Sequence, residues 1–302
     1  MILALYTTIY PGVEKFLFDW YQSVLHQTDQ DFQLWIGLDN LDVDSVKRAI
    51  GVDPKAQWIT VHPGATPAQI RQKALVEVLN TCDGVVLVDS DDLLQTSRVA
   101  AARAALQTSD VAGCALALVD VYGAALDVSL GLPVGSDPAS VLPRHNVFGL
   151  SNSAFRCDML QRCLPIPDNV DLIDWFLASR AWLLGARMNF DSCVHMNYRQ
   201  HGANLARVRG PFTTSQVVQD TARVRKHFGI MRTNLPENYL QEQLSEFERT
   251  ADDVELFYER VTLDPDRLAG YVAAFNDLAL PPLWWSCVAY PALKHFWHPL
   301  HN

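Results

Sequence analysis

The sequence predicts an α/β fold, a mostly parallel central sheet flanked by helices, followed by a C-terminal helical extension. Three observations carry this. Over the first 120 residues, short apolar runs alternate with helix-like segments, the rhythm of a parallel sheet with helical crossovers. One run, Val85 to Val88, is apolar throughout, as in a strand buried on both faces. From about Pro211 onward the pattern turns helical throughout. The expected division is 1–210 for the sheet domain and 211–302 for the extension, ordinary sizes for a 302-residue chain.

Taken in order, "ILALY" opens the sheet, Pro11 and Gly12 turn the chain, and Phe16, Leu17, Trp20, Val24 and Leu25 mark an amphipathic helix. "FQLWIGL" and "AQWITV" supply the second and third strands, "IRQKALVEVL" a helix and "GVVLV" the fourth strand. A helix from Thr96 to Leu106 and a fifth strand, "DVAGCALALV", follow. Residues 121–150 are rich in Gly, Pro and Ser and too long for an ordinary connection, which predicts a loop near the site. "LIDWFLASRAWLLGA" reads as a helix. Pro236 and Glu237 then open an amphipathic segment with Leu240, Leu244 and Phe247 on one face.

Composition narrows the class. Hydrophobic residues at 49% and charged ones at 19% describe a soluble globular chain, and a net charge of −10 argues against a nucleic-acid-coating surface. It leaves room for a local phosphate pocket. "MILALYTTIY" holds only about five apolar residues, too few for a signal peptide, so a cytoplasmic protein is expected. The six cysteines lack any C-x-x-C pair and sit mostly among apolar neighbours, as buried free thiols do. No stretch reaches the ~18 apolar residues of a membrane span. "LALPPLWWSCVAYPALKHFWHPL" is either a tail docked on the core or a peripheral contact at the inner face of the membrane. Clustered aromatics favour the core; Lys294, His295 and His298 keep the second reading open.

The run "GVVLVDSDDLL" passes from a buried strand straight into Asp89, Asp91 and Asp92. Ligands of open α/β sheets bind outside the carboxyl ends of the strands, and adjacent carboxylates repel unless a cation, a proton or hydrogen bonds compensate them. A divalent metal is one answer. A helix N-terminus that favours Asp91 and Asp92 is the other.

Several stretches together resemble the family 2 glycosyltransferases with the nucleotide-sugar-binding GT-A fold. "FLFDWYQSVLHQTDQDFQLWIGLDNLD" is similar to that family's opening helix, strand and acidic turn, and "VVLVDSDDLL" to its metal-binding D-x-D segment; "DWFLASRAWLLGA" and "YRQHGANLARV" follow in the family's order. The resemblance covers roughly residues 1 to 210. It implies an inverting hexosyl- or deoxyhexosyl-transferase that moves a sugar from a nucleoside-diphosphate donor to a hydroxyl of a glycan or lipid-linked acceptor. The cofactor implied is a divalent metal, Mn or Mg, which would stabilise the charge growing on the leaving diphosphate.

Residue by residue, the resemblance makes Asp91 the direct metal ligand and lets Asp89 reach the ribose or the metal. Asp92 supports them or caps a helix. His201 in "YRQHGAN" is the further ligand, with Arg199, Arg207 and Arg209 nearby for phosphate oxygens, against a surface histidine in a charged loop. Thr7 and Thr8, closing the first strand, and Asp39, closing the second, are expected around the nucleoside. Asp39, like Asp42, would otherwise merely form a turn. Arg71 is a candidate for the pyrophosphate or base, or else an exposed helix arginine. Asp174 matches the position of the base that deprotonates the acceptor, with Asp171 as rival and pairing with Arg180 as the structural alternative. Asn152 and Ser153 are expected to bind acceptor hydroxyls. Asn40 and "TIYPG" depart from the family's usual residues, which leaves the nucleobase open, and Ile173 replaces the acid that often precedes the catalytic base in the family.

Other classes fit less well. A haloacid-dehalogenase phosphatase needs its D-x-D at the first strand, and a nucleotidyltransferase expects a Gly-rich basic loop that "TTIYPGVEK" does not supply. A catalytically inactive nucleotide-sugar or carbohydrate-binding protein of the same fold is the alternative, and donor hydrolysis separates the two.

Overall fold

The computed structural model describes residues 1–133, 135–202, 204–278 and 280–298. The first half alternates strand and helix as the sequence predicts: β1 (Leu3–Ile9), α1 (Leu17–Leu25), β2 (Phe32–Leu38), α2 (Val43–Ile50), β3 (Ala56–Thr60), α3 (Pro67–Leu79) and β4 (Gly84–Leu87). Then come β5 (Leu93–Leu94), α4 (Arg98–Ala105), β6 (Val111–Val119), β7 (Ala125–Leu130), α5 (Pro138–Val141), β8 (Ser153–Arg156), α6 (Cys157–Cys163), α7 (Ile173–Leu183) and β9 (Met188–Arg199). The last third is α8 (Thr214–Thr233), α9 (Gln241–Phe257), α10 (Pro265–Asp277) and an irregular tail.

Among the described residues the sheet has nine strands in the order β3-β2-β1-β4-β8-β6-β9-β5, with β7 beside β6. β1, β2, β3, β4, β6 and β9 run one way, and β5, β7 and β8 the other. Every residue of β1 is buried, because parallel partners flank it on both sides and helices cover both faces. The register sets Thr8 opposite Gly37 and Tyr6 opposite Leu87, so the carboxyl ends of β1, β2 and β4 share one edge. Local sequence fixes the connections. Asp42 caps α2 by accepting the Ser45 N–H at 2.8 Å, and Thr66 with Gln69 forms a reciprocal capping box on α3.

Four elements depart from expectation. Residues 121–150 contain β7 and α5 besides loop. The short "SAFR" supplies β8, and the polar "MNFDSCVHMNYR" is the long strand β9. β9 persists because β6 pairs with it along most of its length and its polar side chains find partners. His195 bridges Ser97 (2.7 Å) and Asp191 (3.0 Å), and Gln95 donates to Asn197 at 2.7 Å.

The extension is welded to the sheet domain. Trp175 of α7 stacks on His227 of α8 with ring centroids 4.4 Å apart, and burial pushes that imidazole down to about 3, so it is neutral. Asp253 of α9 accepts from Arg144 (3.1 Å), Lys294 (3.0 Å) and His298 (3.0 Å), tying the tail to the loop before β8. The Tyr271 hydroxyl donates to the Cys287 carbonyl and accepts the Tyr290 N–H, each at 3.0 Å. Trp284, Trp285 and Trp297 are buried, so the tail docks on the core; Pro299 and Leu300 lie outside the described residues. Among the described residues no helix is long and apolar enough to cross a membrane.

Candidate functional site

A cleft of about 460 Å³ opens where the carboxyl ends of β1, β2 and β4 meet the loop before β8, the start of α7 and the tail. This is the crevice that open α/β sheets use. Thr8 and Tyr10 enter from the exit of β1, Asp39 and Asn40 from the exit of β2, Arg71 from α3, and Asp89 and Asp91 from the exit of β4. Gly37 lets the first two strands close up: a Cβ there would lie 2.8 Å from the Tyr6 hydroxyl, which bonds Thr8 Oγ1 at 2.8 Å. Asn40 turns the chain with φ +50°, a region asparagine tolerates, and donates to Asp39 at 2.7 Å.

The acids after β4 are held by a polar web. Asp91 accepts the Tyr10 hydroxyl at 3.2 Å and contacts His201 Nε2 at 2.8 Å. The Ser151 hydroxyl lies between Asp89 (3.3 Å) and Asp92 and accepts the Asp89 N–H at 3.1 Å. Asp92 is fully buried and accepts the Arg199 N–H at 2.7 Å. It is therefore a brace under the loop. The helix-cap reading of Asp91 and Asp92 fails, because α4 begins at Arg98 with Ser97 as its cap residue.

Burial, reinforced by the charge of Asp91, lifts the Asp89 carboxyl to about 7; the Arg71 guanidinium 4.0 Å away only partly offsets this. Burial and the charges of Asp91 and Asp89 raise Asp92 as well. The cleft thus carries more negative charge than its own cation compensates, which is where a bound cation gains most.

Asp174 stands across the cleft near the start of α7. Asn146 Nδ2 donates to it at 2.9 Å and the Trp175 N–H at 2.8 Å. Burial nevertheless lifts its carboxyl to about 6, opposed by those donors and by Arg71. Asp171 also lines the cleft, but its side chain is 47% exposed and paired with Lys226 at 2.7 Å. Arg180 bonds the Asn234 carbonyl instead of Asp174.

Not every expected residue reaches the cleft. Thr7 is buried within β1, and the strand alternation that brings Thr8 to the cleft turns it away. Arg199, expected at the phosphates, is buried beneath the acid loop: Nε donates to the Asp91 carbonyl and Nη1 to the Val121 carbonyl, each at 2.8 Å, and the guanidinium sits over the Phe16 ring. Arg207 and Arg209 are exposed on the loop beyond. Asn152 and Ser153, expected at the acceptor, are fully buried. Asn152 donates to the Cys114 and Val147 carbonyls, and Ser153 begins β8, so Ser151 is the residue that faces the cleft. His201 is held by Asn204, which accepts its N–H at 2.5 Å and donates to the Arg199 carbonyl at 3.0 Å.

Sequence reasoning missed Tyr10, Asn146, Ser151, Tyr198, Trp284 and Trp285. Position after the first strand was a usable signal for Tyr10. The tail tryptophans had none, since only the folded chain brings them 135 residues back to Gly149, where a Cβ would lie 2.7 Å from the Trp284 ring.

Among the described residues no group of three or more His, Cys, Asp or Glu side chains is arranged to hold a metal ion. The donors that do meet are Asp91 and His201, with Asp89 in the same cleft. An oxygen–imidazole pair beside uncompensated charge fits a cation whose remaining ligands are phosphate oxygens and water.

Solved structures share this architecture. Residues 1–349 of S. aureus TarS in complex with UDP match 85% of this chain and 72% of their own at TM-score 0.56 and 14% identity. The mannosyltransferase PcManGT from Pyrobaculum calidifontis, in complex with GDP-Man and Mn2+, matches 92% of this chain and 75% of its own at TM-score 0.55 and 15% identity. TarS 1–349 in complex with UDP-GlcNAc gives 91% and 88% at TM-score 0.54 and 14% identity. The likeness is one of fold: the chain shares the architecture of these structures. No family model matches the chain, and no curated protein matches it.

Proposed function

We propose that the protein is an inverting glycosyltransferase of the family 2 type, moving a sugar from a nucleoside-diphosphate donor to an acceptor hydroxyl with a divalent cation. The observation that carries this is the placement of Asp174, a buried carboxyl lifted to about 6, in the same cleft as the under-compensated pair Asp89 and Asp91. One group suits proton removal near neutral pH, and the other suits a cation and its diphosphate. Thr8, Asp39 and Asn40 would hold the nucleoside at the ends of β1 and β2, with Arg71 turned to the diphosphate.

In the reaction, Asp174 takes the proton of the acceptor hydroxyl as its oxygen attacks the anomeric carbon opposite the leaving group. The bond from that carbon to the diphosphate oxygen breaks, and its electron pair leaves with the nucleoside diphosphate. Asn146 and the Trp175 N–H hold the carboxylate in place. Bound at Asp91 and His201, the cation would supply charge stabilisation for the leaving diphosphate. The free cysteines accord with a cytoplasmic location, which we also propose.

The test is incubation of the purified protein with UDP- and GDP-sugars, Mn²⁺ and an acceptor panel. Nucleoside-diphosphate release is followed by chromatography and the anomeric configuration of the product by NMR. Tight donor binding with neither hydrolysis nor transfer would leave a binding protein and overturn the reading.

A further inference from the structure

A second cavity lies behind the tail. It is a slot of about 280 Å³ between β7, the loop that leaves β9 and the junction of α10 with the tail. That loop and the tail stand between the two cavities: Ala206, Trp284 and Trp285 line the cleft, whereas Val208, Arg209, Leu280 and Ser286 line the slot. The reaction above uses none of the slot.

Its walls are apolar. Val128, Val208, Phe212, Phe275, Leu280 and Pro282 supply them, and Val128, Phe212, Leu280 and Pro282 are only partly covered by the protein, so apolar surface is open to an occupant. The shape is held by local contacts. Asn276 accepts the Phe212 N–H at 2.8 Å and donates to the Phe212 carbonyl at 3.0 Å, and the Phe212 ring meets Phe275 edge-on with centroids 5.3 Å apart.

Two polar groups at the slot have no partner. Ser286 is 5% exposed, yet its hydroxyl makes no hydrogen bond among the described residues and is not sealed off from the slot that it lines. Arg209 is exposed and pairs with no carboxylate among the described residues, in a chain of net charge −10. No Asp or Glu lines the slot. A buried hydroxyl without a partner costs free energy that a ligand oxygen recovers, and an unpaired guanidinium on the same slot selects negative charge.

We propose that the slot binds a small anionic amphiphile, its alkyl chain against Val128, Phe212 and Leu280 and its carboxylate or phosphate head meeting the Arg209 guanidinium and the Ser286 hydroxyl. This stands apart from the reading of the cleft. A sugar or nucleotide would bury its hydroxyls against apolar walls, a neutral hydrocarbon would leave Ser286 unpartnered, and Arg209 repels a cation. The volume equals that of roughly nine waters, which limits the chain to about eight carbons.

The experiment is calorimetry on the full chain with octanoate and octyl phosphate below their micelle concentrations, with octanol and acetate as comparators. At least one of the two acids should bind at a single site, about fivefold or more tighter than either comparator. Arg209→Gln should weaken that acid about five- to tenfold and leave octanol unchanged. Val128→Trp, which fills the slot, should abolish binding, and UDP with Mn²⁺ should not displace the acid. If Val128→Trp lacks a cooperative melting transition, Arg209→Gln carries the test, since its side chain is exposed. The proposal is overturned by a wild type that binds neither acid, by octanol binding as tightly as the acids, by binding unchanged in either folded variant, or by displacement with nucleotide, which would put the acid in the cleft. Adsorption to anionic phospholipid vesicles without uptake of the monomeric acids also overturns it, because that marks a surface contact. A chain that binds the acid but no nucleotide upholds the slot and removes the donor reading of the cleft.

Discussion

The two walls of the cleft are built by opposite means. The wall at β1, β2 and β4 is polar and under-compensated: Thr8, Asp39, Asp89 and Asp91 share it with Arg71 as its guanidinium. The wall at α7 and the tail is mostly apolar, with Leu150, Leu172, Ile173, Trp284 and Trp285, and Asp174 set into it. The first should respond to cations, pH and the removal of single charges. The second should respond to side-chain volume. A buried carboxyl in a mostly apolar wall is also the one whose basicity burial can tune, which makes Asp174 the sharpest point of contrast.

Asp174→Asn is therefore expected to have the largest effect. Transfer should fall about 10²–10⁴-fold, the usual contribution of a general base, while nucleoside-diphosphate and Mn²⁺ titrations stay like wild type. In the wild type, kcat/KM should decline tenfold per pH unit below about 6, because the base works only when deprotonated. A steady-state pH profile checks this; a flat profile from 5 to 8 removes Asp174 from the proton's path.

Asp91→Asn tests the other wall. Transfer should drop roughly 10²–10³-fold, the scale of losing one preorganised charge partner, and the thermal shift produced by Mn²⁺ should vanish. Metal-free stability has a sign as well. Because the folded Asp89 carboxyl is raised above its unfolded value, its contribution is fully present below the unfolded pKa and is lost as pH rises through about 7. Melting temperatures across pH 4 to 8 should show that decline, Mn²⁺ should oppose it at the upper end, and Asp91→Asn should flatten it. An equal slope in the variant would break the link between the two acids.

The polar wall was also the legible one. Its residues follow directly on apolar strands, so Asp39, Asp89 and Asp91 could be placed at strand ends from periodicity alone. Within a strand end the alternation decides, which is why Thr8 reaches the cleft and Thr7 does not. The apolar wall is assembled from Gly149, Tyr198 and Trp284, which are far apart in the chain and carry no local signal. Its strand β9 was hidden because its partners are polar side chains on other elements, such as Ser97 for His195. Arg199 shows the converse failure. A guanidinium near an acid motif invites a phosphate role, yet backbone carbonyls and the Phe16 ring absorb it.

Asp39→Ala should act more gently. Losing one hydrogen bond to a bound nucleoside costs about 1–3 kcal/mol, so the dissociation constant should rise while turnover at saturating donor changes little. Calorimetry with UDP and GDP checks it. Equal affinity in both proteins would move the nucleoside away from β2.

The smallest effect is expected at Asp171, and it decides whether the contrast between the walls has been drawn at the right residue. Asp171 and Asp174 are both acids of the cleft, three positions apart around the start of α7. Only Asp174 is buried and lifted; Asp171 is half exposed and held by Lys226 at 2.7 Å. An exposed ion pair of that kind is worth about 0–1 kcal/mol. Asp171→Asn should therefore change kcat less than about threefold and leave the acid limb of the pH profile where it was. Transfer rate and pH profile of the two single variants, measured side by side, give the answer. Should Asp171→Asn abolish transfer and Asp174→Asn retain it, the base would be the solvated acid, and burial would not be what tunes it.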